Sequence, residues 1–215
     1  MATNPWSLIV PVKLLALAKS RIADAAGPHR QALALAVAAD TVAAALSCPL
    51  VGAVVVVTDD ALAAAELAAA GARIVPDEPD RGLNPALVHG AGRARLDGPV
   101  PVGALSADLP ALRPAELTRA LTAAADHENA FVPDLAGTGT TLYTASAGVV
   151  FAPAFGNGSR DRHVALGVKE IDLPDIPSVR RDVDTADDLR EALALGLGPR
   201  TERVARLILG RGRPQ

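Results

Sequence analysis

An α/β fold, a three-layer α/β/α sandwich around a mostly parallel sheet, is predicted by three features of this 215-residue chain. Short apolar runs such as residues 6–12 and 52–58 carry no polar alternation, which is how strands covered on both faces read. Ala- and Leu-rich stretches of helical length separate those runs. Strand and helix then alternate along the chain, and crossovers of that kind lay the strands side by side in parallel.

Taken in order, residues 6–12 are expected to form the first strand and residues 13–26 a loop carrying Lys13, Lys19 and Arg21. Residues 28–46 read as a helix with Pro28 in its first turn, where a missing N–H does no harm. A second buried strand over 52–58 stops at Asp59-Asp60, and the helix over 61–70 takes Gly71 as its C-cap. Residues 73–75 make a short third strand and 76–80 a loop. A helix over 84–96, a strand over 99–105 and a helix over 114–126 follow. From Ala130 the pattern turns irregular, with helices again expected over 159–167 and 186–195. No repeat or linker interrupts it, so residues 1–209 read as one domain and the Arg-, Gly- and Pro-rich residues 210–215 as a frayed tail.

Composition narrows the classes of function. Half of the residues are hydrophobic, ample for a core without disulfides or structural metals. A net charge of −3 and the lack of a long basic stretch argue against a nucleic-acid partner. Cys48 is the only cysteine, which excludes an internal disulfide and a cysteine-based zinc site. No uninterrupted apolar span reaches the ~18 residues of a membrane helix, and no basic segment precedes the first apolar run as in a secretory signal. A cytoplasmic protein is expected; its oligomeric state stays open, a homodimer included.

Two acidic motifs carry the chemistry: Ser106-Ala107-Asp108-Leu109-Pro110 and Arg181-Asp182-Val183-Asp184-Thr185, each expected where a buried strand runs out. Ligands of open parallel sheets sit outside the carboxyl ends of the strands, and carboxylates there suit Mg²⁺, which in turn holds phosphates. Read alone, Asp108 also fits a turn or helix cap, and Asp184-Thr185 a cap for the following helix, with Asp187 or Asp188 in its first turn. Asp182 fits neither role.

Lys13, Lys19, Ser20 and Arg21 form a loop able to wrap a triphosphate, although it lacks the glycines of a Walker A loop and also reads as a solvated basic stretch. Gly137-Thr138-Gly139-Thr140 has the small residues, hydroxyls and free amides of an anion nest, or of an ordinary turn. Gly156 permits close backbone approach, Ser159 opens a helix, and His163 lies on the same helical face, so Ser159 and His163 can reach one ligand. Asn84 either caps a helix or reads a nucleoside.

Together, Pro11-Val12-Lys13, Ala18-Lys19-Ser20-Arg21, Gly82-Leu83-Asn84, Asp108-Leu109-Pro110, Gly137-Thr138-Gly139-Thr140, Phe155-Gly156-x-x-Ser159-x-x-x-His163 and Asp182-Val183-Asp184-Thr185 resemble, in this order, the family of phosphoenolpyruvate and 2-phospho-L-lactate guanylyltransferases. The resemblance covers nearly the whole chain. It implies a nucleotide-diphospho-sugar transferase-like (glycosyltransferase-A-like) fold and transfer of GMP from GTP to phosphoenolpyruvate or 2-phospho-L-lactate. Pyrophosphate is released, and the product feeds coenzyme F-420 biosynthesis.

Carried over by motif, Asp108 and Asp182 are Mg²⁺ ligands with Asp184 close by, and Lys19 joins Asp108 and Asp182 as catalytic. Thr140, Gly156, Ser159 and His163 fall on the phosphoenolpyruvate side, and Lys13, Lys19, Arg21 and Asn84 on the GTP side. One departure is Ala107, where the family usually has Gly before Asp-Leu-Pro, which bears on the fit of the neighbouring nucleotide. A nucleotidyltransferase for a molybdopterin or sugar-phosphate acceptor is the nearest alternative, but Pro11-Val12-Lys13-Leu14 lacks the Leu-Ala-Gly-Gly of those enzymes. An inactive nucleotide-binding paralogue sits poorly with the intact acidic pair. An acceptor phosphate is already anionic, so the reaction needs no general base, in keeping with the lack of a poised His or Cys dyad.

Overall fold

Seven strands form one sheet: β1 Trp6–Pro11, β2 Val51–Val57, β3 Arg73–Val75, β4 Val102–Leu105, β5 Asn129–Pro133, β6 Thr140–Ala145 and β7 Lys169–Glu170, in the order β3-β2-β1-β4-β6-β5-β7. The structure, a computed structural model, describes residues 5–78, 80–96 and 98–210. Helices α1 Ala23–Ala26, α2 Arg30–Leu46, α3 Ala61–Ala69, α4 Leu83–Ala94, α5 Pro114–Ala124, α6 Ser159–Ala165, α7 Pro177–Arg180, α8 Ala186–Leu195 and α9 Pro199–Leu209 complete the described residues. All neighbouring strands pair in parallel except around β6, which runs antiparallel to both β4 and β5. Among the described residues no helix is long and apolar enough to cross a membrane.

Unbroken apolar strands are buried on both faces here, as the sequence leads one to expect. Leu8, Val10, Val54, Val56 and Leu105 turn to one face, packed with side chains of α2, α3 and α5, while Ile9, Val57 and Ala104 turn to the other, beneath Ala86, Leu87 and Ala91 of α4. Gly90 lets α4 come close: a Cβ there would stand 2.7 Å from methyl carbons of both Ile9 and Val57. A third apolar cluster joins Leu33 and Val37 of α2 to Leu189 of α8 and Ala205 and Ile208 of α9. Asp40, buried in α2, accepts the amides of Arg200 (3.3 Å) and Thr201 (2.6 Å), a carboxylate set at the positive end of α9.

The structure departs from the expected elements in places that matter for the site. Residues 20–26, expected as loop, form a 3-10 turn and α1. The irregular stretch after Ala130 is the β5–β6 hairpin, whose ends meet through the turn at 134–139. The second acidic motif follows α7 and not a strand, so its expected place at a strand end is corrected. Gly82, not Asn84, is the N-cap of α4. Neither α9 nor β7 is announced by the sequence, and the tail beyond Gly210 lies outside the described residues.

Candidate active site

Where β4 ends between β1 and β6, residues 106–109 carry Asp108 out of the sheet. Thr41, fully buried in α2, fixes that loop: its hydroxyl accepts the Leu109 amide at 3.1 Å and donates to the Val37 carbonyl at 2.8 Å. The second motif is stitched to the first by backbone. The Val183 amide donates to the Asp108 carbonyl (3.0 Å) and the Gly198 amide to the Pro110 carbonyl (2.8 Å). Thr185 caps α8 in a capping box with Asp188, which also takes the Asp184 amide, so Asp184 keeps its carboxylate free of capping duty.

Lys19 stands among these carboxylates. Its ammonium is 3.0 Å from Asp108 Oδ2 and 3.3 Å from Asp184 Oδ1, and it donates to the Val183 carbonyl. The residue sits in the left-handed region with φ 55°, a conformation uncommon outside glycine that its surroundings must stabilise. Burial alone would lower the pKa of its amine, but Asp108 and Asp184 outweigh that and raise it, so the side chain is a cation. Burial, reinforced by Asp108, Asp184 and Asp134, pushes the Asp182 carboxyl up to about 7. Arg21, well exposed, approaches Asp184 Oδ2 at 3.6 Å. Among the described residues no three His, Cys, Asp or Glu side chains are arranged as they stand to hold a metal; the ammonium of Lys19 lies between two of the three carboxylates expected to do so.

Beside this cluster opens a cleft of about 280 Å³ whose polar lining is Lys13, Lys19, Ser106, Asp108 and Asp184. Ala107, the position that departs from the family pattern, is among its lining residues and also packs against the core.

Ser159 and His163 lie on one face of α6, as their spacing predicted, and both meet Thr140. Thr140 Oγ1 is 3.0 Å from His163 Nδ1 and accepts the Ser159 hydroxyl at 3.1 Å. The expectation that His163 reaches a ligand is corrected, because it is fully buried and both ring nitrogens are used. Nε2 accepts the Ala154 amide (3.0 Å), and the ring stacks on Tyr143 at 5.0 Å between centroids. Burial, with Arg162 nearby, lowers its pKa to about 4, so it is neutral at physiological pH with its proton on Nδ1. The anion-nest expectation at 137–140 is corrected as well: Asp134 already occupies the amides of Thr138 (2.9 Å) and Gly139 (2.8 Å). Gly156, at φ 123°, has a backbone only glycine adopts readily.

Asn84 also has a different task. Its amide donates to the Phe155 carbonyl (3.1 Å) and accepts the Phe155 amide (2.8 Å), clamping the chain next to Gly156. Lys13 is exposed at the cleft mouth. Sequence reasoning missed Thr41 and Asp134, which fix loops of the site, and Asp40, which anchors α9. The signal available was the polar pair Asp40-Thr41 inside an otherwise apolar helix, where burial demands partners.

The profile of the family described as "Guanylyl transferase CofC like" matches residues 6–209. The chain belongs to that family. Curated relatives of this guanylyl transferase include proteins named phosphoenolpyruvate guanylyltransferase. The one from Thermomonospora curvata is 67% identical over 201 residues, covering 93% of this chain and 88% of its own length. The one from Streptosporangium roseum is 61% identical over 209 residues, covering 97% and 94%. Among solved structures, a protein from Desulfovibrio desulfuricans classed as a nucleotide-diphospho-sugar transferase superposes with a TM-score of 0.68 at 16% identity, covering 96% of this chain and 99% of its own. At that identity the likeness shows the fold, which is the one the sequence motifs implied.

Proposed function

We propose that the protein transfers GMP from GTP to phosphoenolpyruvate, releasing pyrophosphate, with Mg²⁺ bound by Asp108, Asp182 and Asp184. The observation that supports this reading is the convergence of Asp108 and Asp184, from two remote motifs, on one ammonium, near enough to Asp182 to raise its carboxyl, at the edge of a cleft that also presents Lys13. The names of the relatives support the acceptor, and the product so formed would feed coenzyme F-420 assembly.

The donor set fits a hard divalent cation: it consists of carboxylate oxygens, and it already holds a positive charge in the ammonium of Lys19. Bound there, Mg²⁺ supplies charge neutralisation between two anionic substrates and a template that orients them. The chain's own residues do the rest. Thr140 and Ser159, tied to each other and to neutral His163, have one hydroxyl proton left over between them for an anionic acceptor beside Gly156. Lys19, and Lys13 at the mouth, offset charge on the departing pyrophosphate. An acceptor phosphate oxygen attacks the α-phosphorus, and the bond from that phosphorus to the bridging oxygen breaks. No side chain has to remove a proton.

Purified protein mixed with GTP, Mg²⁺ and, in turn, phosphoenolpyruvate, 2-phospho-L-lactate and 3-phosphoglycerate tests the reading. Pyrophosphate release with phosphoenolpyruvate is the expected result. Release with another acceptor alone reassigns the substrate, and release with none overturns the proposal.

A further inference from the structure

A second cleft of about 240 Å³ adjoins the first, sharing Pro11, Val12, Lys13 and Leu83 as a common wall. Its apolar lining includes Val57 and Ala86, and its far side presents Asp59, Asp77 and Asp80, with Lys13 the single cation among the lining residues. Polyphosphate is repelled by such a wall. A flat ring with apolar faces and an edge of N–H donors is not.

The carboxylates on that wall are not equivalent. Asp59 Oδ1 accepts the Asp77 amide at 3.0 Å, which fixes the loop, and the Asp80 amide closes a turn on the Asp77 carbonyl at 3.0 Å. Asp80 is held at φ 37°, a conformation uncommon outside glycine that must be stabilised by its surroundings. Asp77 Oδ1 is shut off from solvent and meets no donor among the described residues. A buried acceptor without a donor is a standing penalty, and because Asp77 lines the cleft, a small turn of its carboxyl would offer that oxygen to a ligand's N–H.

We propose that this cleft takes the guanine of GTP and that Asp77 reads its N1–H and 2-amino hydrogens. The inference rests on the guanylyl-transfer reading and deepens it, naming the residue that selects the base. Guanine alone among the common bases sets two N–H donors side by side on its pairing edge. Adenine and cytosine put an acceptor nitrogen next to the amino group, and that nitrogen would face the carboxylate. Lys13, on the shared wall, is placed for the phosphate chain that joins a base in one cleft to the reacting phosphorus in the other. Asp59 is a positioning residue, acting through the Asp77 amide.

Equilibrium binding of GTP, ITP and ATP by calorimetry, with Mg²⁺ and no acceptor, tests the inference. ITP lacks the 2-amino group and keeps N1–H, so it is expected between GTP and ATP. Asp77→Asn replaces one acceptor by a donor, the pattern that complements adenine, and should cut the preference for GTP over ATP by about tenfold to a hundredfold. Thermal unfolding of the variant checks that it folds. Equal binding of all three nucleotides by the unaltered protein, or an unchanged ratio in a folded Asp77→Asn, overturns the inference. Because no acceptor is present, failure of phosphoenolpyruvate as substrate leaves this result standing. Conversely, normal turnover with an unchanged ratio removes only the role of Asp77.

Discussion

Replacing Lys19 by Met keeps the length of the stem and removes the charge. In the protein the Lys19 side chain is 9% exposed and bonds to the side chains of Asp108, 26% exposed, and Asp184, 43% exposed. Removing one partner of a buried ion pair costs about 3–5 kcal/mol because the other charge is stranded. Water reaches both carboxylates here, and screening reduces such figures, so about 2 kcal/mol is the expected loss without metal. For a chain of this size that lowers the unfolding midpoint by about 4–8 °C. A divalent cation restores the balance of charge, so the deficit should vanish in Mg²⁺, and the variant should bind Mn²⁺ more tightly than the unaltered protein because no ammonium competes. The assays are thermal unfolding in chelator and in Mg²⁺, with titration of Mn²⁺ by paramagnetic resonance. A variant that unfolds with the parent in chelator, or that binds Mn²⁺ more weakly, refutes the view that Lys19 and the metal share one set of carboxylates.

Asp108→Asn should abolish pyrophosphate release and leave the circular dichroism spectrum unchanged; a variant that still turns over removes Asp108 from the metal site. Thr41→Val strands the Leu109 amide and should lower stability by about 1–3 kcal/mol in urea unfolding, with equal stability refuting the role given to the hydroxyl. His163 has a folded pKa near 4 against 6.5 for a free side chain, so the unfolded chain takes up the proton first. Stability should therefore fall as pH drops from 6.5 to 4, by up to about 3 kcal/mol from this residue, and hold steady above that window. His163→Leu, compared with the parent over that range, should lack that component of the slope; an identical slope contradicts the assignment.

The parallel half of the fold was readable because strands buried on both faces leave unbroken apolar runs, as at residues 6–11 and 51–57. The β5–β6 hairpin was not. Its turn, Asp134 to Gly139, is held by a side chain and not by a glycine-bearing two-residue loop, so the usual hairpin signal is missing. Helix α9 hides for a related reason: it is amphipathic but begins right after Gly196-Leu197-Gly198, and its anchor is Asp40, far away in sequence. For the site, the motifs that the sequence singles out do meet: Lys19 bonds to Asp108 and to Asp184. What spacing could not reveal is occupancy. His163, Asn84 and the amides at 138 and 139 have the chemistry of ligand contacts, yet each is already engaged by another part of the chain.

One reversed strand divides the labour of this molecule. The clefts proposed for the nucleotide are edged by loops that leave β1, β2, β3 and β4, whereas Thr140, Gly156 and Ser159 arrive on the antiparallel β6 and the segment behind it. Phe155 is where the two parts meet: it lies on that segment, lines the first cleft and is clamped by Asn84. On the proposed assignment, a change of backbone there would be felt by acceptor and nucleotide together.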